Sequence, residues 1–549
     1  MHDMNASHTT SHEEGRPERR RFAAAAWGGV WAAPAALAAL LAGLWLLFAP
    51  PTPDLAAQVY RTGLFEQHGF TLFNAQWYAG HHTPGYSLVF PPLAALIGPR
   101  VLGAIAAVVS AILFAHLAHD HFGRRARIGS LWFAAATATD LFIGRLTFGL
   151  GVAFALATLL ALYRGHTRAA TALAVATTAA SPVAGLFLAM AGGADAVARR
   201  RRAGLAIAAG AFLPALALAV AFPEGGSQPF GFWAFTCVVG AAAVVYLLLP
   251  ATERTLRTGA LLYGAATVAA FAIATPMGSN ATRLAAMFAG PILVCALVGR
   301  INPRILVAAA VPLLVYQWYG PIRETGKGAN DPSSELAFYK PLLDFLEGRA
   351  DASTRVEIPF TRMHWESVHV ARRYPLARGW EAQLDVKYNP LFRQGRRLTS
   401  ERYQHWLLSN GVRYVALPDV PLDPAARNEA RLIRRGLPFL RPVYEDRHWR
   451  VFAVRDARGL TRTGSGASVR RIGPTSFTLE ARRRGPVLVR VRWTPYWRIT
   501  AGAGCVEQAA DDWTLVRAHE PGRIRVAAKF DPVRIVDHGP ACSEGLPHR

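Results

Sequence analysis

Apolar runs punctuated by short arginine clusters leave this chain few folds to adopt. After a polar start that ends in RPERRR (Arg16–Arg21), apolar segments occupy Ala23–Ala49 and then about Leu96–Ala118, Ile128–Ile143, Leu146–Tyr163, Arg168–Ala180 and Val183–Ala198. Five more follow at Ala203–Phe222, Phe232–Leu249, Arg257–Ala274, Leu284–Val298 and Ile305–Tyr319, and the eleven together predict an α-helical polytopic membrane domain of about 11 spans. Several are shorter than the roughly 20 residues a straight span needs, so charge must decide the count. Arg124, Arg125 and Arg127 fall at one junction, and Arg164 with Arg168, Arg199–Arg202, Arg254 with Arg257 and Arg300 with Arg304 fall at others. With eleven spans every one of these clusters is cytoplasmic, as positive charge flanking a membrane helix prefers. Fusing Thr167–Ala198 into one helix would move Arg199–Arg202 to the other face. Ser181-Pro182 supplies the break, because a residue before proline is driven out of helical geometry.

The chain has 549 residues, 52% of them hydrophobic, with mean hydropathy +0.19. That is too apolar for an ordinary soluble protein and too charged to lie wholly in lipid, so a membrane half must be joined to a soluble half. A formal charge of +24 suits nucleic acid in general. Here much of it sits in turns between apolar runs, where holding loops on the cytoplasmic side accounts for it, and no nucleic-acid partner is expected. Cys237 and Cys295 lie inside apolar runs and read as small hydrophobes, whereas Cys505 and Cys542 lie in the soluble part, where an oxidising compartment allows a disulfide. No Cys or His spacing matches a zinc site. The expected cofactor set is therefore undetermined, with a divalent cation left open.

Four regions follow. Residues 1–21 read as a disordered cytoplasmic tail, 22–319 as the multi-span domain with a large outer loop at 50–95, 320–458 as an extracytoplasmic mixed α/β domain, and 459–549 as a β-sandwich-like domain. RVEIPF (Arg355–Phe360) and VRYVALP (Val412–Pro418) read as buried strands, Glu335–Leu346 and Thr399–Asn410 as helices, and Val443–Val454 as a hairpin. Alternation in SFTLEA, VLVRVRW, WRITA, WTLVRA and RIRVAA argues the sandwich, whose end a Cys505–Cys542 bridge would staple. The N-terminus is expected in the cytoplasm and the C-terminal domains outside the cytoplasmic membrane.

The outer loop holds most of the reactive side chains. Asp54, Gln58 and Arg61 stand at i, i+4 and i+7 and so share one helix face, with Glu66 and His68 beyond them. Pro53 and Asp54 also suit a plain helix start. WYAGHHTPGYS (Trp77–Ser87) sets His81 and His82 beside Trp77 and Tyr78. Aromatic rings there suit a sugar face or an interfacial belt. Arg145 and Arg283 sit at outer ends of spans, against the usual distribution of positive charge. They either snorkel to head groups or bind the phosphate of a lipid-linked substrate, for which the guanidinium fork is suited. Gly278, Ser279 and Asn280 precede Arg283 and add donors.

A first outer loop with an Asp just past the first span and a Trp-Tyr-x-Gly-His element resembles the GT-C class of integral-membrane glycosyltransferases, most nearly the YfhO-like bacterial membrane proteins. The Ser181-Pro182 turn, the GSNATR loop and the NGVRYVALP strand with its hairpin extend the resemblance over most of the chain. It implies transfer of a sugar from a polyprenyl-phosphate donor to an extracytoplasmic glycan or lipid acceptor. In that reading Asp54 is the general base, Arg145 and Arg283 hold the leaving phosphate, and Glu66, His81 and His82 serve acceptor binding or proton relay. A paired Asp-x-Asp is missing. A lipid or glycolipid flippase is the main alternative, although the spans carry few mid-membrane ionisable groups beyond Asp140 and Asp195 near their ends. A non-catalytic scaffold that binds cell-wall polymer is a third.

Overall fold

The computed structural model describes residues 29–351, 354–393, 398–461, 466–536 and 542; the expected cytoplasmic tail lies outside them. A helix covers every apolar run. They are α1 (Ala32–Phe48), then after the outer loop α4 (Pro99–Phe122), α5 (Ala126–Ile143), α6 (Leu146–Tyr163), α7 (Thr167–Ala180) and α8 (Pro182–Arg199). The series continues with α9 (Arg202–Ala221), α10 (Phe232–Leu248), α11 (Arg254–Ala272), α12 (Thr282–Leu297) and α13 (Pro303–Gly328). The loop itself holds α2 (Pro53–His68), a two-residue hairpin β1 (Phe73–Asn74) and β2 (His81–His82), and α3 (Phe90–Ile97). As proline at 182 requires, Ser181 is extended (φ −157°, ψ 112°), and its Oγ accepts from the Ala184 amide at 3.4 Å, so the break also caps the helix that follows it.

Among the described residues, five helical stretches are long and apolar enough to cross a membrane: Pro99–Ile143 (α4 and α5 with their turn), Leu146–Tyr163, Arg202–Ala221, Gly278–Leu297 and Pro303–Gly328. The pair α1 and α2, bent by 81° at Pro50-Pro51, makes a sixth if taken as one span. α9 and α13 lie at the periphery and expose Leu213, Leu216 and Val220 on one and Val307, Val311 and Val315 on the other. So much contiguous apolar surface is stable only against lipid, and the chain is membrane-associated. Contacts gather four of the basic turns at one end of the bundle. Tyr163 donates to the Asp120 carbonyl (2.8 Å), His121 meets Glu253 (2.8 Å) and Arg199 donates to Thr255 (3.0 Å). The C-terminal domains dock on the opposite end.

The C-terminal half begins later than expected. α13 runs past Tyr319 to Gly328, where a side chain in place of the glycine would meet the Pro51 carbonyl at 2.4 Å. The helix therefore braces the bend that opens α2. Beyond it come α14 (Leu336–Glu347), β3 (Arg355–Glu357), α15 (Glu366–His369), α16 (Ala382–Tyr388), α17 (Ser400–Ser409), β4 (Val412–Pro418), α18 (Arg427–Arg434), β5 (Leu440–Glu445) and β6 (Trp449–Val454). They form a sheet in the order β3-β4-β6-β5, with β3 parallel to β4 and the remaining pairs antiparallel. The expected strand Arg355–Phe360 shortens to Arg355–Glu357, since Pro359 has no amide to donate. At this domain's centre Arg378 is buried, bidentate to Asp385 (2.9 and 3.0 Å), 3.3 Å from Glu429 and 3.9 Å from Glu357, between the rings of Phe360 and Phe392.

The last region forms two antiparallel sheets over one apolar core, and the alternation missed two of their strands. β7 (Ala467–Ile472), β8 (Ser476–Ala481), β9 (Gly485–Arg492), β10 (Trp497–Ala501), β11 (Gly504–Gln508), β12 (Trp513–Ala518) and β13 (Gly522–Ala528) make one sheet β10-β13-β8-β7 and another β11-β12-β9. β7 and β11 escaped because RR and a Gly-Cys start break their patterns. A Cys505–Cys542 disulfide closes the domain's end, while Cys237 and Cys295 are free.

The loop at 50–95 is an interlock between these layers. Phe73 enters the sandwich core, edge-on to Trp497 (5.0 Å between ring centres), while Trp77 and Tyr78 are buried in the α/β core. Trp77 stacks on Tyr60 (4.2 Å) and donates to the Ser367 carbonyl, and Tyr78 bonds to the backbone of Gly379 and Glu381. Gly80, at φ +139°, and Gly379 admit no side chain against Phe73 and Trp77.

Candidate functional site

Where α2 meets the bundle, four ionisable side chains come together with few other partners. The Gly144-Arg145 turn packs on the first turn of α2: Gly144 has φ +90°, and a side chain there would strike the Leu55 amide at 2.5 Å. This close approach brings Arg145 Nε within 3.5 Å of Asp54 Oδ2, with both side chains only partly covered. Asp54 stands in the first turn of α2, where the helix dipole favours a carboxylate. Arg283, near the start of α12, lies within electrostatic reach of Arg145, Asp54, Asp140 and Tyr86 and sits over the Phe148 ring (5.3 Å). Its Nε is buried with no hydrogen-bond partner, as are Arg145 Nε and Asp140 Oδ2. The unused donor of Arg283, beside Arg145 and two carboxylates, makes a place where an anion would lie next to a base. A water-sized recess of about 10 Å³, lined by Ser110, Thr137, Asp140 and Arg145, adjoins it.

A second group extends the face of α2 toward the C-terminal domains. Gln58 donates to Tyr86 Oη (2.6 Å), and the Arg61 guanidinium lies 3.6 Å above the Tyr86 ring. Tyr86 is held because the amides of Leu88 and Val89 bond the Ala179 carbonyl. Arg61 also pairs with Glu381 at 2.6 Å, and Gln383 donates to the same carboxylate. His82 donates its backbone amide to Glu224, whose carboxylate lies 2.7 Å from the ring Nδ1, and meets Thr494 through Nε2 (2.9 Å), joining the Pro223–Gly231 loop, the hairpin and the sandwich. His81 meets Asn74 (3.2 Å) and its own chain at His82, and lies 4.0 Å from Glu381. Burial pushes the His81 imidazole down to about 4, so near neutral pH it is uncharged and forms no ion pair with Glu381.

Burial also pushes the Glu381 carboxyl up to about 7, against the lowering effect of Arg61. The folded protein thus keeps a proton here that the unfolded chain releases near the usual carboxylate value. Stability contributed by that proton is full at low pH and is lost as pH rises toward about 7. Melting midpoints followed from pH 4.5 to 8 should fall over this window, and Glu381→Gln should flatten the fall. An equal slope in both proteins would remove Glu381 as the source.

The expected residues therefore divide. Asp54, Arg145 and Arg283 converge, and Gln58 and Arg61 continue the same helix face. Trp77 and Tyr78 are fully buried between domains, so they lock the loop rather than offer a ring to a ligand. His81 and His82 are likewise enclosed and bonded to protein. Glu66 is exposed on the last turn of α2, roughly 18 Å along the helix from Asp54, and so stands apart from the site. Asn280 donates its side-chain amide to the Pro276 carbonyl of its own loop (3.1 Å). Sequence reading missed Asp140, Tyr86, Glu224 and Glu381. Asp140 alone carried a signal, as an acid near the end of an apolar run. Among the described residues no group of three or more His, Cys, Asp or Glu is placed to hold a metal ion. No protein-family model matches this sequence, and no curated protein is detectably similar to it.

Proposed function

We propose that the chain is a membrane glycosyltransferase of GT-C type, in which all eleven helices span the cytoplasmic membrane and the C-terminal domains lie outside it. It transfers a sugar from a polyprenyl-phosphate donor to an extracytoplasmic glycan or lipid acceptor. The observation that carries this reading is the partly open Asp54 carboxylate, set 3.5 Å from Arg145 Nε, with an unpartnered guanidinium donor on Arg283. In the reaction the acceptor hydroxyl gives its proton to Asp54 as its oxygen attacks the anomeric carbon, and the bond to the carrier phosphate breaks. Arg145 and Arg283 take up the charge that grows on the departing phosphate, where low dielectric strengthens them. The orientation is supported by the basic turns at the far end of the bundle and by the Cys505–Cys542 disulfide, which suits an oxidising compartment.

A lipid flippase is the second reading, favoured by an open apolar groove of about 530 Å³ along α13, lined by Leu314, Val315, Trp318, Tyr319, Ile322 and Arg323. A groove of that kind also seats the tail of a donor. Mass spectrometry of lipid extracted with the purified protein tests the anion site. A polyprenyl-phosphate sugar should co-purify with the native chain, and Arg283→Gln should lower its yield about tenfold, the effect of losing roughly 1.5 kcal/mol from one charge-assisted hydrogen bond. Only bulk phospholipid in both preparations would end the proposal.

A further inference from the structure

The sandwich leaves its last strand through a short segment that is neither tucked into a core nor polar. Phe530 is 50% exposed, Val533 66% and Val536 87%. The segment is nonetheless held firmly. Asp531 pairs with Arg498 (2.9 Å) and accepts from the Val533 amide (3.0 Å), which shapes the helical turn Pro532–Ile535. Its apolar side chains are presented by a built turn, not by a frayed end.

That turn stands against a spanning helix. Tyr496 donates to the Ala221 carbonyl at the end of α9 (2.6 Å), and the Phe530 ring lies 5.6 Å from Tyr496 and 6.1 Å from Phe222. Ile535 packs into the same cluster as Leu218, which lies a turn inside the end of α9. At 1.5 Å per residue, Leu218 is roughly 4–5 Å deeper along the helix than Ala221. α9 shows its apolar side to the surroundings along most of its length. The chain that follows α9 carries Phe230, Phe232, Trp233 and Phe235, which with Phe271 are in ring contact or exposed, as in the aromatic belt expected at a membrane surface. Lys529 precedes the turn and Arg534 lies within it, and the one acid between them, Asp531, pairs with Arg498. Apolar side chains at belt level with basic residues beside them fit an anionic bilayer surface.

We propose that Phe530–Val536 is an interfacial anchor that seats the β-sandwich in the lipid beside α9, with Val533 and Val536 among the acyl chains and Lys529 and Arg534 at the head groups. The bilayer then holds the C-terminal domains over the bundle beside the His82–Glu224 contact, whose imidazole packs on the same Phe222 and Tyr496 rings as Phe530.

Spin labels on Val533→Cys and Val536→Cys in the full chain, reconstituted in nanodiscs containing phosphatidylglycerol, provide the test. Glu520→Cys, at the far end of the same sandwich, is the water reference, and signal from the parent thiols is subtracted. Labels at 533 and 536 should show a ratio of oxygen to nickel-chelate collisions several-fold above that at 520. A water-like ratio at both sites overturns the anchor. So does shielding from both reagents, which would mean that a second copy or another protein covers the turn.

Discussion

Asp54→Asn is expected to lower sugar transfer by about 10²–10⁴-fold while leaving the protein folded and its lipid bound, because general-base assistance is typically of that size. Asparagine keeps the shape and can still lie near Arg145, but it cannot take the proton of the acceptor hydroxyl. Turnover of a polyprenyl-phosphate sugar by purified protein measures it, with lipid content determined on the same sample. Transfer within about threefold of native would sink the base assignment. Retained lipid movement with no transfer by either protein would turn the reading to a flippase.

Arg378→Leu should be the most damaging single change to the fold of the soluble half. It leaves Asp385, Glu429 and Glu357 buried without their shared cation, and removing one partner of such a cluster costs about 3–5 kcal/mol. For a domain of this size that corresponds to a melting midpoint lower by about 10 °C or more, followed by tryptophan fluorescence. The deficit should shrink as pH falls from 7 to 5, because burial already pushes Glu429 up to about 7 and the abandoned carboxylates can take up protons. A midpoint within 2 °C of native at pH 7 would show that Arg378 carries little of the fold.

Much of the architecture was legible because it follows from one-dimensional patterns. Helices formed at all eleven apolar runs, and the extended Ser181 follows from Pro182. Period-two alternation foretold five of the sandwich strands. The helix from Pro53 and the shared face of Asp54, Gln58 and Arg61 follow equally from local chemistry. What misled was residue type without depth. Trp77, Tyr78, His81 and His82 look like a ligand surface in sequence, but they are packed between the hairpin and two domains. The boundary near Gly320 failed because composition turns polar before the helix ends at Gly328.

The sequence by itself determined the helices, their breaks, the soluble half and the presence of an acid and two unusually placed arginines. Only the tertiary structure decided that Asp54 meets Arg145, that Asp140 and Arg283 share their electrostatic neighbourhood, and that Glu381 reaches back to Arg61 across some 320 residues. The physical reason is range. Hydropathy and proline act over a few residues and can be read locally. Ion pairs and buried contacts depend on which surfaces meet once the chain has folded, as at Gly144 against α2 and Gly328 against Pro51.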